Sequence, residues 1–527
     1  MRNVNFTKSA LASAMALAFA GNAYAATGPS SSHSPYVVPT ATNYSVTSIL
    51  TTGDSIGGYT MGGIPDGLGA YDNGDGTFTV LMNHEWTTLG TISSPAPIGA
   101  AHAHNPGASN GGAYVSKWVI NKSNLSVVSG GDLIQNTATW NSGTGSYNSP
   151  VLGAVFNRFC SADLPKTGAF YNALTGKGYN GMIFMNGEES GSEGKAYGTV
   201  VATGTTYQLA HLGKFSWENS VASPYAQDKT IVMGLDDSTP GQVYMYVGNK
   251  QTTGNAVEMA GLVGGNLYGV QVAGLGSLES RTTTFTSGAF SLYNLGDVSA
   301  TSGASVDATS DANGVTEFLR PEDGAWDTLT NNRFYFVTTD RLDTDKDGVG
   351  SQIGRSRLWS LNFSDILHPE NGGTITMLLD GTEAGNMFDN ITVDAMTGHV
   401  LLQEDPGNAV HNAKTFDYDP VNDVLTQVLK SDPARFGDIG MAATAPFNVD
   451  EENSGIIDVS AIFGSTNPND RYYLAVTQAH YATDNPQTVE GGQLQLIHAS
   501  PVPVPAAAWL LGSGLVGLIG LGRRRKA

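Results

Sequence analysis

The 527-residue chain has a single cysteine, Cys160, and only 14% of its residues are charged. One cysteine excludes an intrachain disulfide, so an exported protein with this sequence must rest on its core, with bound metal as an optional further support. Basic residues are scarce: Lys and Arg number 26 against 47 Asp and Glu. Arg2, Lys8, Arg523, Arg524, Arg525 and Lys526 fall in terminal segments that contain no acid, so the body between them is more acidic still. Such a surface repels phosphate backbones and anionic lipid, which argues against a nucleic-acid partner and favours divalent cations. The chain also lacks His-Glu-x-x-His, a Walker loop and a Cys-x-x-Cys pair, so zincin, NTPase and zinc-ribbon readings have no support. Amphipathic stripes of helical period are nearly absent, and helix is expected to be a minor component.

What the chain does contain is glycine, 66 residues of it, with 40% hydrophobic and 9% aromatic residues. That is too apolar for disorder and long enough for a large core. Short apolar or alternating runs at 77–82, 113–120, 181–185, 229–233, 242–247, 266–272, 333–338, 357–363, 374–379, 399–403, 471–476 and 493–497 have strand length, with Gly, Asn and Asp turns between them. Several segments repeat one layout: a strand, a carboxylate near its end, a Gly or Pro turn, another strand. The predicted fold is all-β, a propeller of six irregular blades, with a pair of two-sheet sandwiches as the alternative. Segments 96–110, 130–150 and 299–313 read as long surface loops.

Both ends differ from this body. Residues 1–25 have the form of a secretory signal, with Arg2 and Lys8 before an apolar run and Ala23-Tyr24-Ala25 as a small-residue cleavage site, so that Ala26 begins the mature chain. At 501–527, Pro501-Val502-Pro503-Val504-Pro505 precedes seventeen uncharged residues and then Arg523-Arg524-Arg525-Lys526, a hydrophobic stop backed by positive charge. This tail resembles the PEP-CTERM sorting signal of Gram-negative bacteria. The resemblance implies transient residence in the inner membrane, processing by an exosortase-like protease and a final place in the periplasm, at the outer surface or in the extracellular matrix. Residues 26–500 form the predicted propeller domain.

Seven acidic motifs lie in or beside the predicted strands: Asn83-His84-Glu85, Gly187-Glu188-Glu189, Trp217-Glu218-Asn219, Glu322-Asp323, Asp389-Asn390, Glu404-Asp405 and Asp450-Glu451-Glu452. Oxygen donors from different blades converging at a channel mouth would suit calcium, which takes six to eight oxygens in irregular geometry. Arg320, one of few cations here, stands two residues before Glu322 and on a strand would share its face. It could clamp a phosphoryl group among metal-bound carboxylates, or simply pair with Glu322 or Asp323. Asp343, Asp345 and Asp347, followed by Gly348, match the first half of an EF-hand loop, but its last ligand position is Gly354.

Taken in order, Asn83-His84-Glu85, Glu188-Glu189, Phe215-Ser216-Trp217-Glu218, Arg320-Pro321-Glu322 and Asp389-Asn390-Ile391-Thr392-Val393-Asp394 resemble motifs of the PhoX-type secreted alkaline phosphatases. The resemblance spans roughly residues 75 to 410 and implies a β-propeller with a calcium and iron cluster at its centre. It implies further that Arg320 contacts substrate phosphate, that Glu218 and Glu322 ligate metal, and that Glu85, Glu188, Glu189, Asp389 and Asn390 are lesser candidates. Two positions depart from the family pattern: Gly187 where an iron-ligating Cys precedes the acidic pair, and Trp217 where His precedes the Glu. Calcium is therefore the expected cofactor and iron is in doubt. The functional expectation is an exported, calcium-dependent phosphoesterase acting on phosphate esters. The alternative is a non-catalytic, calcium-stabilised matrix protein that binds exopolysaccharide.

Overall fold

Successive residues of a strand point to opposite sides of its sheet, and in this chain both sides are apolar. In the strand Lys229–Asp236, Ile231, Met233 and Leu235 join one buried cluster while Val232 joins another. In Arg333–Thr338, Phe334 and Phe336 face one way and Tyr335 and Val337 the other. A strand with two apolar faces needs a packed sheet on each side, and radial stacking of sheets around an axis supplies this.

The computed structural model describes residues 24–87, 104–106, 111–282, 284–343, 354–483, 485 and 487–500. It is an all-β propeller of six blades, each an antiparallel sheet. Running outward from the axis, blade 1 consists of Pro65–Asp72, Thr77–His84, Tyr114–Asn121 and Val127–Asp132, and blade 2 of Phe159–Asp163, Ile183–Glu188, Ala196–Val200 and Thr205–Gln208. Blade 3 is Trp217–Ala222, Lys229–Asp236, Gly241–Asn249 and Asn266–Val272; blade 4 is Pro321–Trp326, Arg333–Thr338, Arg357–Phe363 and Gly373–Leu379. Blade 5 is Phe388–Val393, Val400–Glu404, Lys414–Asp419 and Val424–Ser431. In blade 6, Glu452–Asp458, Arg471–Ala482 and Glu490–Ala499 are joined by Tyr44–Thr51 from the other end of the chain.

The six inner strands pack each against the next, and the last against the first, so the ring closes. Six apolar clusters fill the spaces between neighbouring blades. Ser287–Gly296 bridges the outer edges of blades 3 and 4 into one continuous sheet, and Val37–Pro39 covers the edge of blade 5. All twelve runs expected as strands are strands. The segment 299–313 is not a loop: Gly303–Ala312 is a helix capped by the Ser302 side chain. Its buried face is Gly303, Val306 and Ser310, mostly small residues, so no apolar stripe announces it. Gly303 is required there, because a Cβ would collide with the carbonyl of Ser192.

Ala25 and Ala26, the expected cleavage point, lie in an edge strand, Tyr24–Thr27, that pairs with Tyr44–Thr51. The remainder of the expected signal and the whole hydrophobic tail lie outside the described residues, as do Asp345 and Asp347. Asp343 is described and buried, its backbone held by Asn386. No helix among the described residues is long and apolar enough to cross a membrane.

Candidate metal centre

Five of the six inner strands carry the same irregularity near their start. Two residues lie opposite one residue of the second strand: Asp66-Gly67 opposite Asn83, Cys160-Ser161 opposite Gly187, Glu218-Asn219 opposite Leu235, Glu322-Asp323 opposite Val337, and Asp389-Asn390 opposite Gln403. Such a bulge re-aims the side chains it contains. In blade 6 a single extra residue, Gly455, has the corresponding place.

A second device recurs in the same five blades. The residue just beyond the second strand donates its backbone N–H to the carbonyl of the residue just before the inner strand: Glu85 to Ile64, Glu189 to Arg158, Asp237 to Ser216, Thr339 to Arg320 and Asp405 to Met387, at 2.9 to 3.0 Å. Ile64, Arg158, Arg320 and Met387 all have left-handed backbone, with φ between 45° and 62°. Non-glycine residues pay strain for this conformation, and such strain concentrates at functional sites.

Together the two devices give each of these blades a pair of side chains at one end of the channel: Asp66 with Glu85, Cys160 with Glu189, Glu218 with Asp237, Glu322 with Thr339, and Asp389 with Asp405. Blade 6 adds Glu452. Ligating atoms fall within 4.8 Å of one another in four overlapping groups: Asp66, Glu85 and Cys160; Cys160, Glu189 and Glu218; Glu218, Glu322 and Asp389; Asp389, Asp405 and Glu452. The groups share members, so the donors form one continuous arc. The second bulge residues turn the other way and tie the blades together. Asn219 donates to Asp323 at 2.6 Å, Asn390 donates to Ser161 at 3.2 Å and accepts from the Gly455 backbone, and Ser161 donates to Glu218 at 2.7 Å. On the far side of this belt is a cavity of about 210 Å³ with Val221, Trp326, Ile391 and Val393 among its lining residues.

Crowding buried acids without a counter-cation favours their protonated forms. Burial first and Asp237 second push Glu218 up to about 8. Burial and then Glu452 bring Asp405 to about 7. Asp66, Glu189, Glu322 and Asp389 are all raised well above the usual carboxylate range, in each case chiefly by burial. Asp237 departs from this: burial opposes ionisation, but Arg320 first and Arg158 with it hold it below its ordinary value. Glu452 is likewise held low against its burial, by His480.

The sequence candidates meet different fates. Glu85, Glu189, Glu218, Glu322 and Asp389 converge on the arc. Arg320 stands at its rim, with Nε 2.9 Å from Asp237 and Nη2 2.6 Å from Glu322. Glu188 turns away, accepting from the Asn157 backbone at 3.1 Å with Lys195 3.6 Å off, and Asn390 belongs to the belt. Asp66, Asp237 and Arg158 were not singled out as ligands or clamps from the sequence, and His480, one of four scattered histidines each open to metal ligation or a plain hydrogen bond, pairs with Glu452 and Glu490. Cys160, which reads more naturally as a core residue, belongs to two of the four ligand groups.

No protein-family model matches the chain, and no curated protein matches it in sequence. Among solved structures it superposes on Pseudomonas fluorescens PhoX in complex with vanadate, a transition state analogue, with a TM-score of 0.60 at 12% identity, over 92% of this chain and 99% of that one. The chain has the fold of PhoX. TolB from Acinetobacter baumannii also matches, over 87% of this chain and 80% of its own, but at 9% identity and a TM-score of 0.28 it is too distant to inform the site.

Proposed function

We propose that the protein is a metal-dependent phosphoesterase of the PhoX kind, with the acidic arc as its metal centre and Arg320 as its phosphate ligand. The observation that carries this reading is the convergence of Glu218, Glu322 and Asp389 on one point, with the partly exposed Arg320 side chain beside it.

The residues present fit calcium. Among the described residues, Asp66 Oδ1, both carboxylate oxygens of Glu85 and Glu189 Oε2 are buried and have no hydrogen-bond partner. Leaving buried charged oxygens unsatisfied is costly unless a cation completes them. Glu218, Glu322 and Asp389 would hold one cation, Asp389, Asp405 and Glu452 another, and the groups containing Asp66, Glu85 and Glu189 the rest. Cys160, a soft donor among hard ones, gives the arc a place for a transition metal such as iron. Bound metal ions would neutralise phosphoryl oxygens and lower the pKa of a water nucleophile.

The chain's own contribution is orientation. Arg320 presents a planar fork to the phosphoryl oxygens, and its Nε bond to Asp237 fixes the plane of that fork. The Ser161 hydroxyl and the Asn219–Asp323 and Asn390–Gly455 bonds hold the bulges so that Glu218, Glu322 and Asp389 keep their aim. Export, sorting through the C-terminal tail and a final position outside the inner membrane complete the proposal. The test is hydrolysis of a phosphomonoester by the purified protein with calcium, with calcium and iron, and after chelation. Metal-dependent turnover supports the reading; no turnover in fully metal-loaded protein leaves a calcium-stabilised surface propeller as the better account.

A further inference from the structure

The chemistry proposed above uses one arginine, yet the fold sets two in equivalent places. Arg158 and Arg320 each precede an inner strand, in blades 2 and 4, with left-handed φ of 45° and 62°. Each backbone carbonyl accepts the same cross-strand N–H, from Glu189 and Thr339 respectively. Their side chains are exposed to the same degree, 30% and 29%.

Each guanidinium spends only part of its donors on acids. Arg158 Nη1 donates to Glu189 at 2.6 Å and its Nε is 3.6 Å from Glu85, whereas Arg320 engages Asp237 and Glu322 through Nε and Nη2. Among the described residues, Arg158 Nη2 and Arg320 Nη1 donate to nothing. Blade 3 lies between the two, and its corresponding residue is the uncharged Ser216. A wholly structural pair in this protein looks different: Arg357 and Glu279 are bonded with side chains only 1% and 0% exposed. Left-handed backbone alone does not mark a ligand, since Ile64 and Met387 share it; what sets Arg158 and Arg320 apart is a partly exposed guanidinium with donors unspent.

We infer that Arg158 is a second phosphate ligand, which with Arg320 forms a two-sided guanidinium clamp over blade 3. The inference rests on the phosphoesterase reading of the same site. Each arginine keeps its carboxylate partner, itself a member of a metal-ligand group, and gives its remaining N–H edge to non-bridging phosphate oxygens.

The test is calorimetric titration of inorganic phosphate into the metal-loaded protein, with metal content and melting temperature measured in parallel. Arg158→Gln is expected to bind phosphate about tenfold or more weakly, as for loss of a charged hydrogen bond, with metal content unchanged. Arg158→Lys keeps the charge but not the planar fork and should fall between that variant and the parent. Unchanged phosphate affinity in Arg158→Gln, loss of metal in both variants, or no phosphate binding by the parent protein would each overturn the clamp. Absent phosphomonoester turnover in a parent that still binds phosphate through Arg158 would overturn the phosphoesterase reading alone.

Discussion

Trp217 occupies the space that any side chain at position 187 would need: a Cβ built on Gly187 would overlap the Cβ of Trp217 and lie 2.7 Å from its Cγ. The two departures from the PhoX-type pattern are thus one packing unit, spanning blades 2 and 3. The indole continues into a stack with Phe215, at 3.9 Å between ring centroids, within the cluster that joins these blades. Sulfur is nonetheless present at the site, since Cys160 stands in the arc.

Gly187→Ala should therefore destabilise the protein by about 1–3 kcal/mol through overpacking. Combined with Trp217→Gly, which removes both the Cβ and the Cγ that clash, the loss should be smaller than the sum of the two single changes. Chemical unfolding of the single and double variants measures this coupling; strict additivity would show that the two positions do not share the space.

The raised carboxylates set the pH behaviour of the metal-free protein. Glu218 titrates near 8 when folded and near its ordinary 4.5 when unfolded. Between those values the folded protein keeps a proton that the unfolded chain has released, so rising pH weakens the fold across this window and has no further effect above it. Asp405, raised to about 7, acts in the same direction. With calcium bound, cations replace these protons and binding strengthens as the acids ionise. Thermal unfolding between about pH 5 and 8 should show a falling melting temperature in chelator and a level or rising one in calcium.

Adjacent acids should behave differently. Glu189→Gln removes a member of the Cys160 and Glu218 group and should lower metal content and activity, by tenfold or more in the latter, on the order seen for supporting residues of metal sites. Glu188→Gln alters a carboxylate directed at the Asn157 backbone and Tyr197, and should leave metal content unchanged. Elemental analysis of the two purified variants decides this.

The contrast between Glu188 and Glu189 also shows where the sequence was legible. Strand runs were plainest in the second strand of each blade, which is apolar on both faces. Glu218, Glu322 and Asp389 stood out because an acid beside a strand is unusual. Which of two neighbouring acids faces the axis, however, depends on bulge register, and a bulge leaves no periodic trace. Asp66 and Arg158 went unremarked for a related reason: each looks ordinary beside Pro65 or Phe159 until Ile64-Pro65-Asp66, Arg158-Phe159-Cys160, Arg320-Pro321-Glu322 and Met387-Phe388-Asp389 are aligned as the same point of successive blades. Ring closure, not local pattern, makes them equivalent.

The most direct test of the account compares phosphomonoester hydrolysis by metal-loaded parent protein and Arg320→Ala. Arg320 touches Glu322 and Asp237 at the rim, so its loss should leave the metal-ligand arc in place while lowering kcat/KM by about 100-fold or more. Equal activity in the two proteins, at equal metal content, would contradict the assignment of this channel end as a phosphate site.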